Sequence, residues 1–544
     1  MRGVSGKNGE RLARVLNALK TGTAWLARVY VPLLALVWFG AALATTLWVW
    51  GLNPLTFQGD EAVNRMAAAL IHDIGRAIVD VPLEDPEDLL HMHEWTTLGS
   101  RAVPIYPPVT FYLYGYLLKL GVVGQFVIVS LPATGVAAFF FGLAQLLPPS
   151  RRWLAFPAPL LGMPAMYWLL RPWANLSLML TCLCWGFCWW TLWKERRTTG
   201  YLAAALFSMG AAAAVRPDYA AHLLTAVMLF SLAVAPRSYR VIFGLLLASG
   251  VCAVAVNLLL NWMVSGTSVR PVYENMLDRD HETAAAGPLA VLFRVWFPLG
   301  PPNLGETLAF VDKYWIHLGQ LKWLLAAQLA LIPLFFGIGW VARAFYALAL
   351  LAVLLILISH VDQTLFGVRD PNPLIQHSIP RYWSPIYLFA ALPPILLLGR
   401  VRFRPMVAAR LLVAVGALLA CLLAWSSLDG IWRTQTTSFP GLREKVRNGA
   451  SILDALSEHV PRDAIVYSVS RHGTLWPRFK MGLIGDPGPT AASMNRCVHA
   501  GLPVYVYSPH YTGMKRRLDR ALARKKLKLI TIDRHLSLFR VDRV

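Results

Sequence analysis

The sequence predicts a polytopic α-helical membrane protein of about eleven transmembrane helices, with an extracytoplasmic α/β domain at its C-terminus. Three observations predict it. Of the 544 residues 56% are hydrophobic and only 15% are charged, and the mean hydropathy is +0.50; a soluble chain of this length carries far more charge. Charge-poor runs of spanning length recur from Tyr30 to about Leu428. Beyond that point the pattern changes to short β-branched runs alternating with polar helices.

A bilayer core about 30 Å thick asks for roughly 20 apolar residues per helix. Runs near that length fall at 30–50, 125–148, 153–170, 174–193, 199–215, 219–236, 241–264, 323–342, 344–361, 383–399 and 411–428. The chain thus divides into a basic N-terminal segment, 1–29, a membrane body, 30–428, whose first external loop is 51–124, and a C-terminal domain, 429–544. Lys and Arg in the short connections give the orientation. Arg2, Lys7, Arg11, Arg14, Lys20 and Arg28 precede the first span, and alternate crossings put Arg151, Arg152, Lys194–Arg197, Arg237, Arg240, Arg343 and Arg400–Arg410 on that same cytoplasmic side. The acidic segment 52–104, the loops near 171, 216, 265–322 and 362–382, and the C-terminal domain then lie outside, in an inner (plasma) membrane arrangement. The first apolar run is of full spanning length and lacks a processing site, so it reads as an anchor and not as a cleaved signal.

The formal net charge of +22 raises the question of nucleic acid. Topology argues against it, because much of the excess is the positive-inside signal. The remainder, including Lys515–Arg517 and Arg524–Lys528, either faces anionic headgroups or solvates an exposed helix. Five of six cysteines, Cys182, Cys184, Cys188, Cys252 and Cys421, fall in spans and only Cys497 in the C-terminal domain. That domain can hold no internal disulfide, and the cluster at 182–188, without His or acidic company, reads as packing.

The first external loop opens with NPLTFQGDEAVNRMAAALIHDIGRAI, a loop and then an amphipathic helix expected on the membrane surface. IYPPVTFYLYGYLLKLG follows, where paired prolines start an aromatic segment too short to span, which suggests a re-entrant or interfacial helix. In the C-terminal domain a helix (LREKVRNGASILDALSEHV), two β-branched runs (AIVYSVS, PVYVYS), a basic helix (MKRRLDRALARKKL) and two closing strands (KLITID, LSLFRV) make a small α/β unit. It carries no glycine-rich phosphate loop or nucleophile motif, and a docking or substrate-guiding role is assigned to it.

Asp60 and Glu61 in GDEAVNRM stand about ten residues past the first span, within reach of the membrane boundary. One could act as general base on an acceptor hydroxyl while the other, or a bound cation, orients it. A solvated or helix-capping pair is the plainer alternative. Arg216 and Arg381 also map to external helix ends, where a charge is costly unless it is paired or functional. A cation there can hold a departing phosphate in bidentate geometry. An ion pair between Arg216 and Asp218 that pins the hairpin is the competing account.

Gly-Asp-Glu after the first span, Tyr106-Pro107-Pro108 before an aromatic helix, Val215-Arg216-Pro217-Asp218-Tyr219 between two short spans, and Arg381-Tyr382-Trp383 at the start of the tenth together carry a resemblance. The layout over roughly 25–400 resembles the family C (GT-C) glycosyltransferases, the group of the protein O-mannosyltransferases and the aminoarabinose transferase of lipid A. The resemblance implies a polyprenyl-phosphate sugar donor held in the bilayer and a glycan, lipid or protein acceptor. It implies Asp60 as the catalytic carboxylate with Glu61 beside it, and Arg216 and Arg381 near the donor phosphate. Tyr106, Tyr382 and His377 are further substrate-binding candidates, His377 being the weakest, since a loop histidine with a local hydrogen bond is its plainer reading.

One departure stands out. Many relatives carry an acidic residue in the second external loop, and here it reads Leu170-Arg171-Pro172-Trp173-Ala174-Asn175. Asp60 and Glu61 alone would make a poor divalent site, so no obligatory metal is expected, although a divalent cation would be compatible. The rival readings are a lipid or solute transporter and a surface-polysaccharide polymerase or ligase. Notable charges gathered at one face, not at mid-membrane as in transporters, favour the enzyme.

Overall fold

The computed structural model describes residues 29–52, 59–80, 95–98, 101–104, 106–265, 296–297, 304–312, 339–359, 381–389, 392–393, 395–396, 432, 438–468, 475, 478–508 and 512–544. Among these, six helices are long and apolar enough to cross a membrane, so the chain is a multi-pass membrane protein.

Helix α1 (Val29–Trp50) is the first span. Its beginning meets the chain near 150, where the Tyr30 hydroxyl donates to Pro149 O (3.0 Å) and Trp38 Nε1 to Phe156 O (3.1 Å). Its end meets residue 170, with Trp50 Nε1 donating to Leu170 O (3.1 Å). Helix α2 (Gly59–Ile74) is the expected amphipathic helix, but it does not lie with its apolar face on lipid. Glu61, Ala62, Val63, Asn64, Met66, Ala67, Ala68 and Ile71 are all buried. The face chosen by the helical period packs on protein because an aromatic helix is there to receive it.

Strands β1 (Val79–Asp80), β2 (Trp95–Leu98) and β3 (Arg101–Pro104) form a small antiparallel sheet, order β1-β3-β2, that the sequence reading did not anticipate. Helix α3 (Val109–Leu118) begins after Pro107 and Pro108, as the prolines indicate. It buries Phe111, Tyr112, Tyr114 and Gly115 against α2. Gly115 is what lets the two helices meet: a Cβ there would stand 2.6 Å from the Ile71 Cβ. At Gly121 the chain adopts φ 61°, a turn conformation natural to glycine, and enters α4 (Val122–Gln145).

Residues 153–170, expected to be one span, are broken. A 3-10 turn (Pro149–Ala155) leads to short helices α5 (Ala158–Leu161) and α6 (Met163–Leu169). Pro157, Gly162 and Pro164 interrupt the hydrogen-bond ladder at the points where the helix stops. Helix α7 (Asn175–Arg196) then runs through the protein interior, with Cys182 and Cys184 buried in its packing against α4 and α8 (Thr199–Val215). Helices α9 (Ala220–Val234) and α10 (Tyr239–Ser265) follow, then α11 (Leu304–Val311), α12 (Trp340–Ser359) and α13 (Ser384–Phe389). The expected spans at 411–428 and, up to residue 338, at 323–342 lie outside the described residues.

The C-terminal part starts with α14 (Phe439–His459), capped by the Ser438 hydroxyl, which accepts from Gly441 N–H (3.2 Å). Then come β4 (Ile465–Ser468), β5 (Lys480–Leu483), α15 (Pro487–His499), β6 (Val504–Tyr507), α16 (Thr512–Ala523), β7 (Leu527–Asp533) and β8 (Leu538–Arg543). The five strands run β5-β4-β6-β8-β7, with β5, β4 and β6 parallel and β8 antiparallel to both β6 and β7. Strand alternation sorts the residues: Val466 and Tyr505 face Leu453 and Leu456 of α14, while Ile465, Val504 and Val506 face Met494, Leu518 and Leu522 of α15 and α16. Strand β5 and helix α15 were not foreseen; KMGL is short and interrupted by glycine, and PGPTAASMNRCVH carries two prolines. At the β7–β8 turn, Asp533 accepts the backbone N–H groups of Leu536 (3.0 Å) and His535 (2.7 Å), which hold its carboxyl below the usual range.

Candidate active site

The site is built from short loops between apolar helices, where a charge must find its own partner. Glu61, in the first turn of α2, forms an ion pair with Arg171 of the 170–175 loop. Both side chains are buried. That loop is held from three directions. Trp50 at the end of α1 bonds Leu170 O, the Asn64 side-chain amide donates to Trp173 O (2.9 Å) and Asn175 Oδ1 (3.0 Å), and the Tyr114 hydroxyl donates to Pro172 O (2.7 Å). Tyr114 also meets Trp173 edge to face at 5.4 Å.

The Arg171 guanidinium lies against three aromatic rings, Trp168 at 4.6 Å, Tyr167 at 5.6 Å and Trp50 at 5.8 Å. This suits a cation that is weakly hydrated and planar. On the same Trp168 ring, at 5.8 Å, sits Arg381. Arg381 lies 4.9 Å from the Tyr382 ring and donates to its hydroxyl (3.1 Å). Tyr382 in turn faces Arg216 at 5.2 Å, and its carbonyl accepts from the Tyr219 hydroxyl (2.7 Å). Three guanidiniums, from the 170–175 loop, the 216–219 turn and the segment before α13, are thus strung together through Trp168 and Tyr382.

Their charges are answered differently. Arg216 is held bidentate by Asp218, Nε to Oδ1 at 2.9 Å and Nη2 to Oδ2 at 2.5 Å, and it also lies over Tyr219 at 5.2 Å. The pinning pair that stood as the competing account for Arg216 is therefore present. Arg171 has Glu61.

The C-terminal part meets this end of the body. Phe439, at the start of α14, faces Tyr167 at 5.6 Å, and Trp432 lies between Phe439 (5.8 Å) and Trp48 of α1 (5.3 Å). The Arg443 guanidinium covers Trp48 at 4.5 Å. Phe439 and Leu442 belong to the same apolar core as the membrane body. Burial, and after it the Arg171 charge, holds the Lys445 ammonium below its usual value.

Of the residues singled out in the sequence, Glu61, Arg216, Arg381 and Tyr382 come into this constellation. Asp60 precedes Glu61 in the first turn of α2, and its side chain lies outside the described residues, as does His377. Tyr106 packs half-buried on the core beside α3. Arg171, Trp168, Tyr167 and Phe439 escaped sequence reasoning, which examined the 170–175 loop for a carboxylate and found none. The available signal was an arginine flanked by Trp168 and Trp173 at a helix boundary, an expensive charge in an apolar setting. Among the described residues no three His, Cys, Asp or Glu side chains come together as metal ligands.

The chain is a polytopic membrane protein with a GT-C-like fold. Among the solved structures it resembles is ArnT from Cupriavidus metallidurans in the apo state, with a TM-score of 0.53 over 96% of this chain and 98% of that one, at 13% identity. The sequence matches no protein-family model and no curated protein.

Proposed function

We propose that this chain is an inner-membrane glycosyltransferase that moves a sugar from a polyprenyl-phosphate donor to an acceptor on the extracytoplasmic side. The observation that carries the reading is the convergence, at one end of an apolar bundle of GT-C fold, of the helix start bearing Asp60 and Glu61 with the arginines and rings of the 167–171 and 381–382 segments. A lipid-linked donor keeps its chain in the bilayer and its phosphate at such a boundary.

In this mechanism Asp60 takes the proton of the acceptor hydroxyl as its oxygen attacks the anomeric carbon. The bond from that carbon to the phosphate oxygen breaks, and polyprenyl phosphate leaves with the electron pair. Arg381 stabilises the departing phosphate. Arg216, tied to Asp218, and Tyr382 hold the Arg381 segment in place, with Tyr106 and His377 as candidate contacts to the sugar or acceptor. Glu61 is engaged by Arg171, so the proton transfer is assigned to its neighbour Asp60, and that engagement argues against a divalent ion shared between the two. No metal is obligatory in this scheme, and the 429–544 domain lies outside and guides the acceptor.

A transfer assay on membranes with a panel of radiolabelled polyprenyl-phosphate sugars, with and without EDTA, tests the reading. Labelled product in both arms is expected. No product from any donor overturns the enzymatic reading and favours a transporter.

A further inference from the structure

We infer that Phe439, contributed by the C-terminal part of the chain, is a positioning residue for glycosyl transfer, acting through Tyr167 and Arg171 on the helix that carries Asp60 and Glu61. The inference rests on the function proposed above. Its structural content stands on the contacts alone.

The route is a continuous chain of contacts. Phe439, 3% exposed, lies on the Tyr167 ring at 5.6 Å; Tyr167 faces the Arg171 guanidinium at 5.6 Å; Arg171 pairs with Glu61. Two features make Phe439 a determinant of Arg171 and not only filler. The Tyr167 hydroxyl is buried with no hydrogen-bond partner among the described residues, so the ring is fixed by what stacks on it. Glu61 sits one residue from Asp60 in the first helical turn, so any shift of the Arg171 cage is handed directly to the backbone that carries the base. A catalytic carboxylate is sensitive to such a shift, because a displacement of about 1 Å can lower a rate by roughly 100-fold. Phe439 itself is fixed by Trp432, by Leu442 in the same core, and by the Ser438 cap one residue before it.

The test uses the full-length protein with Phe439→Ala, Phe439→Trp, Arg171→Lys and the Phe439→Ala/Arg171→Lys double variant. Transfer kinetics are read for each, with hydrogen–deuterium exchange over residues 59–74. Expected for Phe439→Ala is a fall in kcat of about 10-fold or more, with the donor KM within roughly 3-fold of wild type. Exchange at the start of α2 rises, Phe439→Trp recovers most of the rate, and the double variant is little worse than the poorer single one, as for residues acting in series. Unchanged kcat in Phe439→Ala, a raised donor KM at constant kcat, or fully additive losses would each overturn the assignment. If wild-type protein transfers no sugar, the proposed function fails. The exchange arm then still decides whether Phe439 holds α2.

Discussion

The Glu61 carboxylate and the Arg171 guanidinium form an ion pair from which solvent is almost excluded, the two side chains being 2% and 1% exposed. Removing one partner of such a pair strands the other in an apolar interior, whereas removing both does not. Glu61→Gln and Arg171→Met should therefore each destabilise the protein by about 3–5 kcal/mol, while the double variant recovers most of the loss. Thermal unfolding in detergent measures it. A double variant as unstable as the sum of the singles would show that the two side chains act independently.

Asp60 carries the proposed proton transfer. Asp60→Asn keeps size and most hydrogen bonding but cannot act as a base, so transfer should fall by at least about 100-fold with expression and donor binding near normal. Retention of more than roughly a tenth of the wild-type rate would place the base elsewhere.

Arg381 and Arg216 should separate in behaviour, because Asp218 already occupies the Arg216 fork. Arg381→Ala should weaken donor binding by roughly 10- to 100-fold, the loss of a charged hydrogen bond. Lys at 381 should restore only part of it, since a point charge cannot reproduce the planar fork. Arg216→Ala should instead lower stability, because it removes the bidentate ion pair with the part-buried Asp218. Donor-binding isotherms and melting curves on both variants check the split. Normal donor affinity in each would remove both arginines from the phosphate.

Gly115 tests the fit of α2 against α3. Ala at 115 places a methyl group 2.6 Å from the Ile71 Cβ and 3.0 Å from Ala68 O, which forces the helices apart. A destabilisation of about 1–3 kcal/mol is expected, along with a slower transfer step, since α2 carries Asp60. Gly115→Ala with unchanged melting and rate would show that the crossing has slack.

The sequence by itself determined the membrane class, apolar helices read at 30–50, 125–148, 174–193, 199–215, 219–236, 241–264 and 344–361, the aromatic helix after Pro107-Pro108, and the Asp-Glu pair past the first span. These follow from local rules: length of apolar run, proline position and helical period are written within a few residues of where they act. Tertiary structure alone decided the partners. Arg171 lies 110 residues from Glu61 and Phe439 lies 272 from Tyr167, as their numbers give. The loop 170–175 therefore looked deficient when judged for a carboxylate of its own. Its charge is answered from α2, and that pairing depends on where α1, α2 and α3 place Trp50, Asn64 and Tyr114. The broken helix at 149–169 belongs to the same class. Its apolar content allowed a span, while Pro157, Gly162 and Pro164 turn the chain so that Tyr167 and Trp168 meet the arginines. Burial of a charge makes its partner obligatory, but only the packing of distant segments chooses which residue that partner is.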